Sequence, residues 1–566
     1  MVSRSRKLMQ LCRPYLPYVI LAIIVAFYTL VQVLNFTPAY QEVDPDGYLI
    51  LAKRIARGGP LAVRDNDPFM YQSHIWVENE HGETIPKFAP GYPLLLSAFY
   101  LVFGDEGMFY VSPLMGGIAL IGAYLLFTRW MSTAASLVAA LTLAANAMFL
   151  VYSGYLLTHA SNLCFITWGM FFLWKWVKED PSVRYGVGAG LALGYAVTIR
   201  PTSILLAFVV AIAAFSSLIE GRKSRSYPLK ALAALAACYV LFPLLLARYN
   251  LSVFGSPFVT GYSLSGEQYA YSLSSFAKNI YTINRGLSIE ALFMVFPIGL
   301  IGMVLLGTWT DRLMRLMWFL PVFILYASFY WCPPGMYYLR FFICTFPVFV
   351  GSSYSFVDRI SESKAKRYAA IMLLCFFIVA IRFHGTVASM KTWVSDQLSR
   401  NLVFASRVAC ETLDSNAVIF SRYPVYCYLG TRENFRFYDL KIFSKRYGQT
   451  EFKDEKTIRK EWKHRRRYIP APRRQEKRTK YLREFYSNLN SSQLKEKKRD
   501  LIESFLKNSR QVASLIPKNH LDRERKELWE KIEFSMLKEW DTLSGEKSAL
   551  YEVKVGIRWG HLAKSG

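Results

Sequence analysis

Long apolar runs are the feature that most constrains this chain, because a helix of about 20 apolar residues crosses the ~30 Å hydrocarbon core of a bilayer. The first run covers residues 15–36, and the later runs lie between residues 108 and 384. Counted together, the runs predict about eleven membrane spans, several of them short. The later runs are 108–128, 133–153, 160–177, 185–199, 202–219, 229–247, 291–308, 316–332, 340–357 and 368–384.

The composition agrees with a membrane protein and excludes several other classes. Hydrophobic residues make up 53% of the 566 residues and charged residues 19%, below the roughly 25% of soluble domains. A small cytosolic enzyme, a DNA-binding module and a disordered scaffold are therefore excluded. The eight cysteines show no Cys-x-x-Cys pair and no zinc-type spacing, which excludes a disulfide scaffold or zinc knuckle as the organising principle. Basic cytoplasmic loops and contacts with anionic lipid explain the net charge of +27.

Basic residues predict the orientation of the chain in the membrane. The first run follows a basic segment, exceeds the about 7–15 apolar residues of a signal peptide, and precedes no Ala-x-Ala cleavage site. The N-terminus is therefore predicted in the cytoplasm, and basic residues of alternate connections fall on that same side. An odd number of spans places the tail outside, whereas a miscount of one span in the 185–219 pair would place it in the cytoplasm. These basic residues are Arg129, Lys175, Lys178, Arg184, Arg222, Lys223, Arg225, Lys230, Arg312, Arg315, Arg359, Lys364, Lys366 and Arg367.

Two polar segments extend from the spans of the predicted membrane domain, residues 1–384. The first outer loop, 37–107, is long, and a loop of this length usually has a function. The basic tail, 385–566, combines strand-like runs with an amphipathic stretch of helical spacing. The predicted fold is a mainly α, polytopic helical bundle with interfacial helices in the outer loop and a small C-terminal α/β domain. The strand-like runs are 417–421, 511–515 and 550–555, and the helical stretch contains Leu494, Leu501, Ile502 and Phe505.

An acidic motif, Gln-Glu-Val-Asp-Pro-Asp-Gly-Tyr, covers residues 41–48, shortly after the first span. Asp46 is predicted to cap the helix that follows, and the Gly-Gly-Pro run 58–60 to end it. One face of that helix is apolar, so we expect it to lie in the membrane interface with this face toward lipid. Asp44 would then lie where a dissolved substrate and a lipid headgroup meet, although a purely structural turn role for both aspartates stays open. The apolar face consists of Tyr48, Leu51, Ala52 and Ile55.

A second motif, Pro-Lys-Phe-Ala-Pro-Gly-Tyr-Pro, covers residues 86–93 and leads into an apolar stretch, 94–104, that is too short to span a membrane. Lys87 would lie at the mouth of a re-entrant or interfacial segment, where a compact cation attracts a lipid phosphate. Snorkelling of the lysine to the interface is the alternative. His81 has no partner at metal-ligand spacing, which favours a structural role, and it is also named as a candidate substrate contact.

These two motifs and three later ones resemble polytopic glycosyltransferases of the GT-C type. The subgroup that the chain most resembles contains the protein O-mannosyltransferases and the lipid A aminoarabinose transferase, which take sugars from polyprenyl-phosphate donors. Members usually have adjacent acidic residues at the first motif, whereas Pro45 separates Asp44 from Asp46 here. Aligned on Tyr48, Asp44 matches the catalytic aspartate of the family. The later motifs are 190–202, which ends in Arg-Pro-Thr, 250–262, and the Tyr-Tyr-Leu-Arg-Phe run 337–341.

The reaction that this resemblance implies would need a proton acceptor, phosphate contacts and substrate contacts, and eight residues are candidates for these roles. Asp44, with Asp46 as the second carboxylate, would accept or orient the proton of the acceptor hydroxyl. Preorganised cations would stabilise the charge that develops on the departing phosphate. An arginine at membrane depth costs on the order of 2.5–3.5 kcal/mol on insertion, which favours a functional role for Arg200, while a buried ion pair or an interface anchor stays open for the arginines. The predicted phosphate contacts are Lys87, Arg200 and Arg340, and the predicted substrate contacts are Tyr92, Tyr338 and His81.

The sequence therefore predicts a multi-pass inner-membrane enzyme. It would transfer a hexose or pentose from a polyprenyl-phosphate donor to a hydroxyl of a glycan, lipid or protein acceptor on the extracytoplasmic face. A lipid-linked sugar transporter or flippase and a glycan polymerase or ligase stay open, although the clustering of polar residues at the outer side rather than at the midplane favours the enzyme.

The predicted partners are the lipid-linked donor, its acceptor and membrane lipids. The basic runs of the tail are interleaved with glutamate and predicted to lie outside, so an anionic lipid or acidic glycan is expected rather than nucleic acid. No obligatory cofactor is predicted. A divalent metal is not favoured, because two carboxylates are few for a Mg²⁺ or Mn²⁺ site.

Overall fold

Most of the described chain forms α-helices in the computed structural model, which describes residues 14–36, 44–62, 75–224, 229–333, 335–360 and 362–376, and five strands between residues 418 and 555. The chain divides into two units. The predicted domain boundary after residue 384 lies outside the described residues. The membrane unit comprises Met1–Pro38, Ala89–Thr260 and Ala270–Ser395, and the loop unit comprises Ala39–Phe88, Gly261–Tyr269 and Asp396–Gly566.

The helices are numbered in chain order, and two of them, α2 and α11, belong to the loop unit. They are α1 (Leu16–Leu34), α2 (Asp44–Ala56), α3 (Gly91–Gly107), α4 (Val111–Phe127), α5 (Thr133–Ala144), α6 (Ala147–Gly154), α7 (Thr158–Lys178), α8 (Val183–Ile199), α9 (Ala207–Ser224), α10 (Leu229–Phe254), α11 (Gly261–Leu264), α12 (Leu273–Gly286), α13 (Val295–Leu305), α14 (Trp309–Ser328), α15 (Met336–Leu339), α16 (Phe346–Arg359) and α17 (364–376). Short 3-10 segments cover Met108–Tyr110, Pro201–Leu206, Glu267–Tyr269 and Arg340–Thr345, and a π-helical turn covers Leu287–Ala291.

Fewer helices than predicted are long and apolar enough to cross a membrane. Five described segments qualify, or seven if each of two bent pairs is one span, so the predicted count of about eleven is not confirmed. The run 133–153 forms α5 and α6, bent by 58°, because Asn146 caps α6 by accepting a hydrogen bond from the Phe149 amide. The segment from α12 to α13 bends by 110° around Phe293, whose φ is 51°. The five segments are Leu16–Leu34, Gly91–Phe127, Pro201–Ile219, Leu229–Phe254 and Met336–Arg359.

The apolar stretch after Lys87 is part of a longer apolar segment. It belongs to α3, which kinks at Gly104, where φ is 69°, and then continues toward α4. The whole apolar segment Gly91–Phe127 is 37 residues long, more than the about 20 that one crossing needs. Helix α4 is long enough to account for most of one crossing, and α3 extends the same apolar segment on its N-terminal side.

Helices α8 and α10 pack backbone to backbone along a row of glycines. A Cβ atom at Gly190 would lie 2.6 Å from the carbonyl oxygen of Leu235, and one at Gly194 would lie 2.9 Å from that of Tyr239. Cβ atoms do not approach a carbonyl oxygen this closely, so a larger side chain would push the helices apart. Small residues at every fourth position allow such close approach between membrane helices. The glycines of the motif 190–202 thereby fix the C-terminal end of α8, which Arg200 follows.

Basic connections lie together at one end of the membrane unit, called here the basic end and comprising 128–132, 175–184, 306–315 and 355–367. Arg129 pairs with Glu179 at 2.6 Å, and Lys178 donates a hydrogen bond to Thr308 at 2.8 Å. The Asp358 carboxylate accepts one from the connection before α5 at 2.8 Å. These contacts agree with the prediction that alternate connections share one side of the membrane.

Helix α2 of the loop unit begins at Asp44, two residues before the predicted cap, so both aspartates lie in its first turn. The helix stops before Gly58, whose φ of 63° is the left-handed conformation that commonly ends helices. The predicted orientation toward lipid is wrong. Tyr48 is 4% exposed and Leu51 is 0% exposed, and the Tyr48 ring lies 4.2 Å from the Phe88 ring. The apolar face packs on protein because the loop itself supplies aromatic partners.

Strands β1 (Trp76–Glu78) and β2 (Thr84–Pro86) form an antiparallel hairpin in the same loop. The side-chain oxygen of Asn79 closes its turn by accepting hydrogen bonds from the amides of His81 at 3.0 Å and Glu83 at 2.9 Å. Lys87 follows β2 directly, and its amide donates to the Ile75 carbonyl at 2.8 Å. The hairpin therefore fixes the backbone of the predicted phosphate-binding lysine.

The described part of the tail is a five-stranded mixed sheet of order β4-β3-β5-β7-β6. Strand β3 is parallel to β4 and β5, and β7 is antiparallel to β5 and β6. The three predicted strand-like runs fall in β3, β5 and β7. The predicted helical stretch lies outside the described residues, so the α/β character of this domain stays a prediction. The strands are β3 (Val418–Ser421), β4 (Arg436–Asp439), β5 (Val512–Pro517), β6 (Ile532–Asp541) and β7 (Lys547–Val555).

Candidate functional site

The ammonium group of Lys87 lies in an aromatic-walled position of the loop unit. It is 5.9 Å from the centroid of the Phe88 ring and 5.6 Å from that of Tyr262. Its Nζ donates to the Glu267 carboxylate, whose side chain is 28% exposed while Lys87 is 5% exposed. Aromatic faces and a carboxylate both stabilise a cation. Lys87 is therefore a held, buried cation and not a lysine snorkelling into water.

Two glycines allow this position to form. A Cβ at Gly261 would lie 2.2 Å from the Lys87 carbonyl oxygen, and a Cβ at Gly47 would lie 2.8 Å from the Phe88 ring. The first glycine belongs to the motif 250–262 and the second to the acidic motif. Three sequence motifs of the outer loops therefore meet around Lys87.

The two aspartates of the acidic motif have different surroundings. Asp44 is half-buried at the first position of α2. Asp46 is 1% exposed, and neither of its carboxyl oxygens has a hydrogen-bond partner among the described residues. Burial raises the pKa of the Asp46 carboxyl well above its ordinary value, and the neighbouring Trp76 indole offsets a smaller part of that rise. Burial therefore opposes the ionisation of Asp46, and its role as a second catalytic carboxylate stays a prediction.

The predicted substrate contacts do not line an open site. His81 lies in the hairpin turn with its side chain 68% exposed, 3.8 Å from Glu80. Tyr92 is fully buried, and its hydroxyl is 2.8 Å from that of Ser112. Tyr338 is 1% exposed, and its hydroxyl donates to the Tyr326 carbonyl. Both tyrosines pack in the core, and their role as substrate contacts stays a prediction.

Arg200 follows α8 in the membrane unit and is held by groups from three other segments. Its Nη1 lies 2.9 Å from His159 Nδ1, and its Nη2 donates to the Tyr326 hydroxyl at 3.0 Å. Its guanidinium carbon is 5.2 Å from the centroid of the Phe341 ring. Helix α8 ends here because Pro201 cannot continue it. The guanidinium is thus oriented by an imidazole, a hydroxyl and an aromatic face.

Arg340 approaches the same aromatic ring. Its guanidinium carbon is 5.2 Å from the Phe341 centroid and 3.9 Å from that of Tyr337, and the residue is 6% exposed. Tyr326 stacks on Phe341 at 4.7 Å with the two planes 13° apart. The structure therefore brings two predicted phosphate contacts together on one aromatic cluster, called here the arginine pair.

Sequence reasoning missed two residues of these clusters. Glu267 gave no motif signal, although it is an acidic residue soon after the motif 250–262. Tyr326 lies within an apolar run, where it looked like part of a span. Among the described residues, no group of three His, Cys, Asp or Glu side chains could hold a metal ion, and the expectation of no obligatory metal stays a prediction.

The sequence matches the family model described as dolichyl-phosphate-mannose-protein mannosyltransferase over residues 87–246. This range begins at Lys87 and includes Arg200. No curated protein matches the chain significantly.

The fold is similar to that of ArnT from Cupriavidus metallidurans bound to undecaprenyl phosphate. That likeness has a TM-score of 0.54 and 12% identity and covers 94% of this chain and 97% of that one. The predicted resemblance is confirmed. The apo state of ArnT gives a TM-score of 0.53 at 12% identity, over the same shares of the two chains, 94% and 97%. AglB from Archaeoglobus fulgidus, in complex with an inhibitory peptide and a dolichol-phosphate, gives 0.50 at 14% identity over 95% of this chain and 74% of that one.

These likenesses show the GT-C fold, because at such identities structural similarity speaks to architecture and not to chemistry. The fold and the apolar helices make the chain a multi-pass membrane protein.

Proposed function

We propose that this GT-C chain is a membrane glycosyltransferase that moves one hexose or pentose from a polyprenyl-phosphate donor to an acceptor hydroxyl on the extracytoplasmic face. The observation that carries the proposal is the arginine pair, in which the guanidinium carbons of Arg200 and Arg340 each lie 5.2 Å from the centroid of the Phe341 ring. Two guanidinium groups that share one aromatic ring favour an anion that satisfies both. A phosphate group matches their fork of N–H donors.

The donor chemistry fits such cations. The acceptor oxygen attacks the anomeric carbon of the sugar, and the bond from that carbon to the phosphate oxygen breaks with its electron pair on the phosphate. Preorganised cations stabilise the charge that the phosphate gains. We assign this role to Arg200 and Arg340, and Lys87 remains a proposed phosphate contact of the same chemical type.

Asp44 is the proposed acceptor of the hydroxyl proton. It is the half-buried member of the acidic motif, whereas burial opposes the ionisation of Asp46. A positioned carboxylate that accepts a proton in the transition state contributes about 10²- to 10⁴-fold to a rate. No group needs to protonate the leaving phosphate, because its charge is compensated by cations.

We also infer the setting of this reaction. The N-terminus and the basic end face the cytoplasm of an inner membrane, and the loop unit with its C-terminal sheet lies outside. The acceptor is a glycan, a lipid or a protein. No nucleic acid partner and no obligatory metal are part of the proposal.

A transfer assay tests the proposal against a transporter or flippase. Membranes containing the full chain are supplied with a panel of labelled polyprenyl-phosphate sugars, and both glycosylated acceptor and free polyprenyl phosphate are measured. Transfer releases the two products in equal amounts, whereas a flippase moves the donor intact.

Asp44→Asn is expected to lower transfer by about 10²- to 10⁴-fold while donor binding is retained. Asp180→Asn is the matched control, since Asp180 is an aspartate of the basic end paired with Arg184 at 2.8 Å. Full transfer by the Asp44 variant would remove Asp44 from the reaction.

A further inference from the structure

A third arginine, which belongs to the basic end and not to the arginine pair, is buried. Arg315 of α14 is 3% exposed. Its guanidinium carbon lies 4.4 Å from the centroid of the Trp130 ring and 5.9 Å from that of Trp174. The two tryptophan rings meet edge to face at 5.0 Å. The arginine is therefore held in a box of two indoles.

The guanidinium of Arg315 has hydrogen-bond donors without acceptors. Its Nε and Nη1 are buried, and among the described residues neither has a hydrogen-bond partner. A buried donor left unsatisfied costs about 1–3 kcal/mol, and more when it is charged. Indole faces attract the charge but accept no N–H in the manner of an oxygen. The site therefore calls for an anionic acceptor.

The carboxylates of the basic end are already engaged. Glu179 pairs with Arg129 and with Lys175. Asp311, one turn before Arg315, accepts from the amide and the hydroxyl of Thr308 in a capping box. Asp311 also attracts the charge of Arg315, but none of these acids accepts a hydrogen bond from its Nε or Nη1 among the described residues.

Two more arginines raise the positive charge beside this box. Arg359 donates to the Trp130 carbonyl at 3.1 Å, and Arg367 donates to the Asp358 carbonyl at 3.1 Å while its Nε is buried without a partner among the described residues. The carboxylate of Asp358 is used by the amide and hydroxyl of Ser132.

The depth of Arg315 suits a lipid headgroup. It is the seventh residue of α14, about 9 Å from the start of the helix at 1.5 Å per residue. Basic pockets between membrane helices on the cytoplasmic side bind the headgroups of anionic lipids.

The geometry points to a phosphate-binding site at the basic end, formed by Arg315 in the Trp130–Trp174 box with Arg359 and Arg367 beside it. Its ligand is a phosphate group, either of an anionic phospholipid or of a free phosphate. The site is separate from the proposed reaction and does not depend on it.

Lipid retention tests the site. The full chain is purified from membranes of phosphatidylcholine and phosphatidylglycerol, and the phosphatidylglycerol retained per protein is measured by mass spectrometry. In a second arm, the melting temperature of the delipidated protein is measured in inorganic phosphate and in chloride at equal ionic strength. We expect the wild type to retain phosphatidylglycerol and Arg315→Met to retain about tenfold less, as loss of a charge-assisted contact implies.

Arg184→Met is the matched control, because Arg184 is a basic-end arginine whose side chain is 72% exposed, and it should behave as the wild type. Arg315→Lys keeps the buried charge but loses the fork of N–H donors, so it should retain an intermediate amount of phosphatidylglycerol. If the methionine variant does not fold, the lysine variant provides the test. Stabilisation by inorganic phosphate without lipid retention would assign the site to free phosphate. Equal lipid retention and equal response to phosphate in the wild type and in both Arg315 variants would overturn the proposal.

Discussion

The two proposed phosphate-contacting regions hold their cations in different ways. In the loop unit, the Lys87 ammonium is paired with the Glu267 carboxylate between aromatic rings. In the membrane unit, Arg200 is oriented by an imidazole, a hydroxyl and the Phe341 face. A lysine that is already charge-compensated must exchange its carboxylate before it can bind phosphate. The planar guanidinium fork can donate two hydrogen bonds to one phosphate, whereas an ammonium group acts as a point charge, so we expect the arginine pair to contribute more to transfer.

Among the predicted phosphate contacts, the largest effect is therefore expected from Arg200→Lys. A lysine keeps the charge, but it cannot reach the imidazole, the hydroxyl and a phosphate in the planar arrangement of a guanidinium. Loss of one preorganised contact of this type costs about 10²- to 10³-fold in rate. Steady-state transfer with a saturating acceptor measures it.

Arg184→Lys, at the exposed end of the pair with Asp180, is the control and should transfer normally. If Arg200→Lys also transfers at the wild-type rate, the arginine pair has only a structural role, and the expectation that it contributes more to transfer than Lys87 is wrong.

Lys87→Ala is expected to weaken donor binding rather than the chemical step. Removal of one charge-assisted contact to phosphate lowers affinity by about 10- to 100-fold. Equilibrium binding of a non-transferable polyprenyl-phosphate analogue measures this. Lys175→Ala is the matched control, since Lys175 also lies over an aromatic ring, at 4.6 Å from Tyr185, and near a carboxylate, at 3.9 Å from Glu179.

Glu267→Gln sharpens the comparison. If the carboxylate competes with the donor phosphate for Lys87, its neutral isostere should bind the analogue more tightly than the wild type, by a smaller factor than Lys87→Ala weakens it. Weaker binding by the glutamine variant would mean that Glu267 positions Lys87 for the donor instead of competing with it.

The smallest effect on activity is expected from Asp46→Asn. Because burial raises the pKa of Asp46, the native protein holds a proton that the unfolded chain releases above its ordinary pKa of about 3.9. Stability therefore falls as pH rises from that value toward the raised pKa. The asparagine variant should transfer sugar normally at neutral pH. Its melting temperature should no longer fall as pH rises through this range.

Asp180→Asn serves as the reference for that measurement. The hydrogen bond from Arg184 lowers the pKa of Asp180, so its contribution changes only at acidic pH and the variant should keep the decline. A large loss of transfer in Asp46→Asn at neutral pH would support the role of Asp46 as a second catalytic carboxylate.

The sequence was sufficient to predict the membrane class, the GT-C resemblance and the grouping of Arg200 with Arg340, because charged residues in apolar runs and ordered motifs are local signals. The number of spans was not predictable in this way. Asn146 divides one apolar run by capping a helix, and Phe293 lies where another chain segment turns by 110°. Hydropathy records neither event.

Burial was the second property that the sequence did not reveal. The acidic motif looks the same whether Asp46 faces water or the Trp76 side of the loop unit. Tyr92 and Tyr338 stand beside predicted phosphate contacts in sequence, but their hydroxyls bond to Ser112 and to the Tyr326 carbonyl inside the protein. These outcomes depend on partners that are distant in sequence.

The row of glycines between α8 and α10 has a consequence for how the protein meets bilayers of different thickness. Helices whose backbones are in direct contact cannot slide along each other, because the ridges of one helix pack into the grooves of the other. A thinner or thicker bilayer is then accommodated by tilting, and these two helices must tilt as one body. The Arg200 guanidinium follows α8 and moves with this pair of helices. Its distance from the hydrocarbon core therefore changes when the pair tilts.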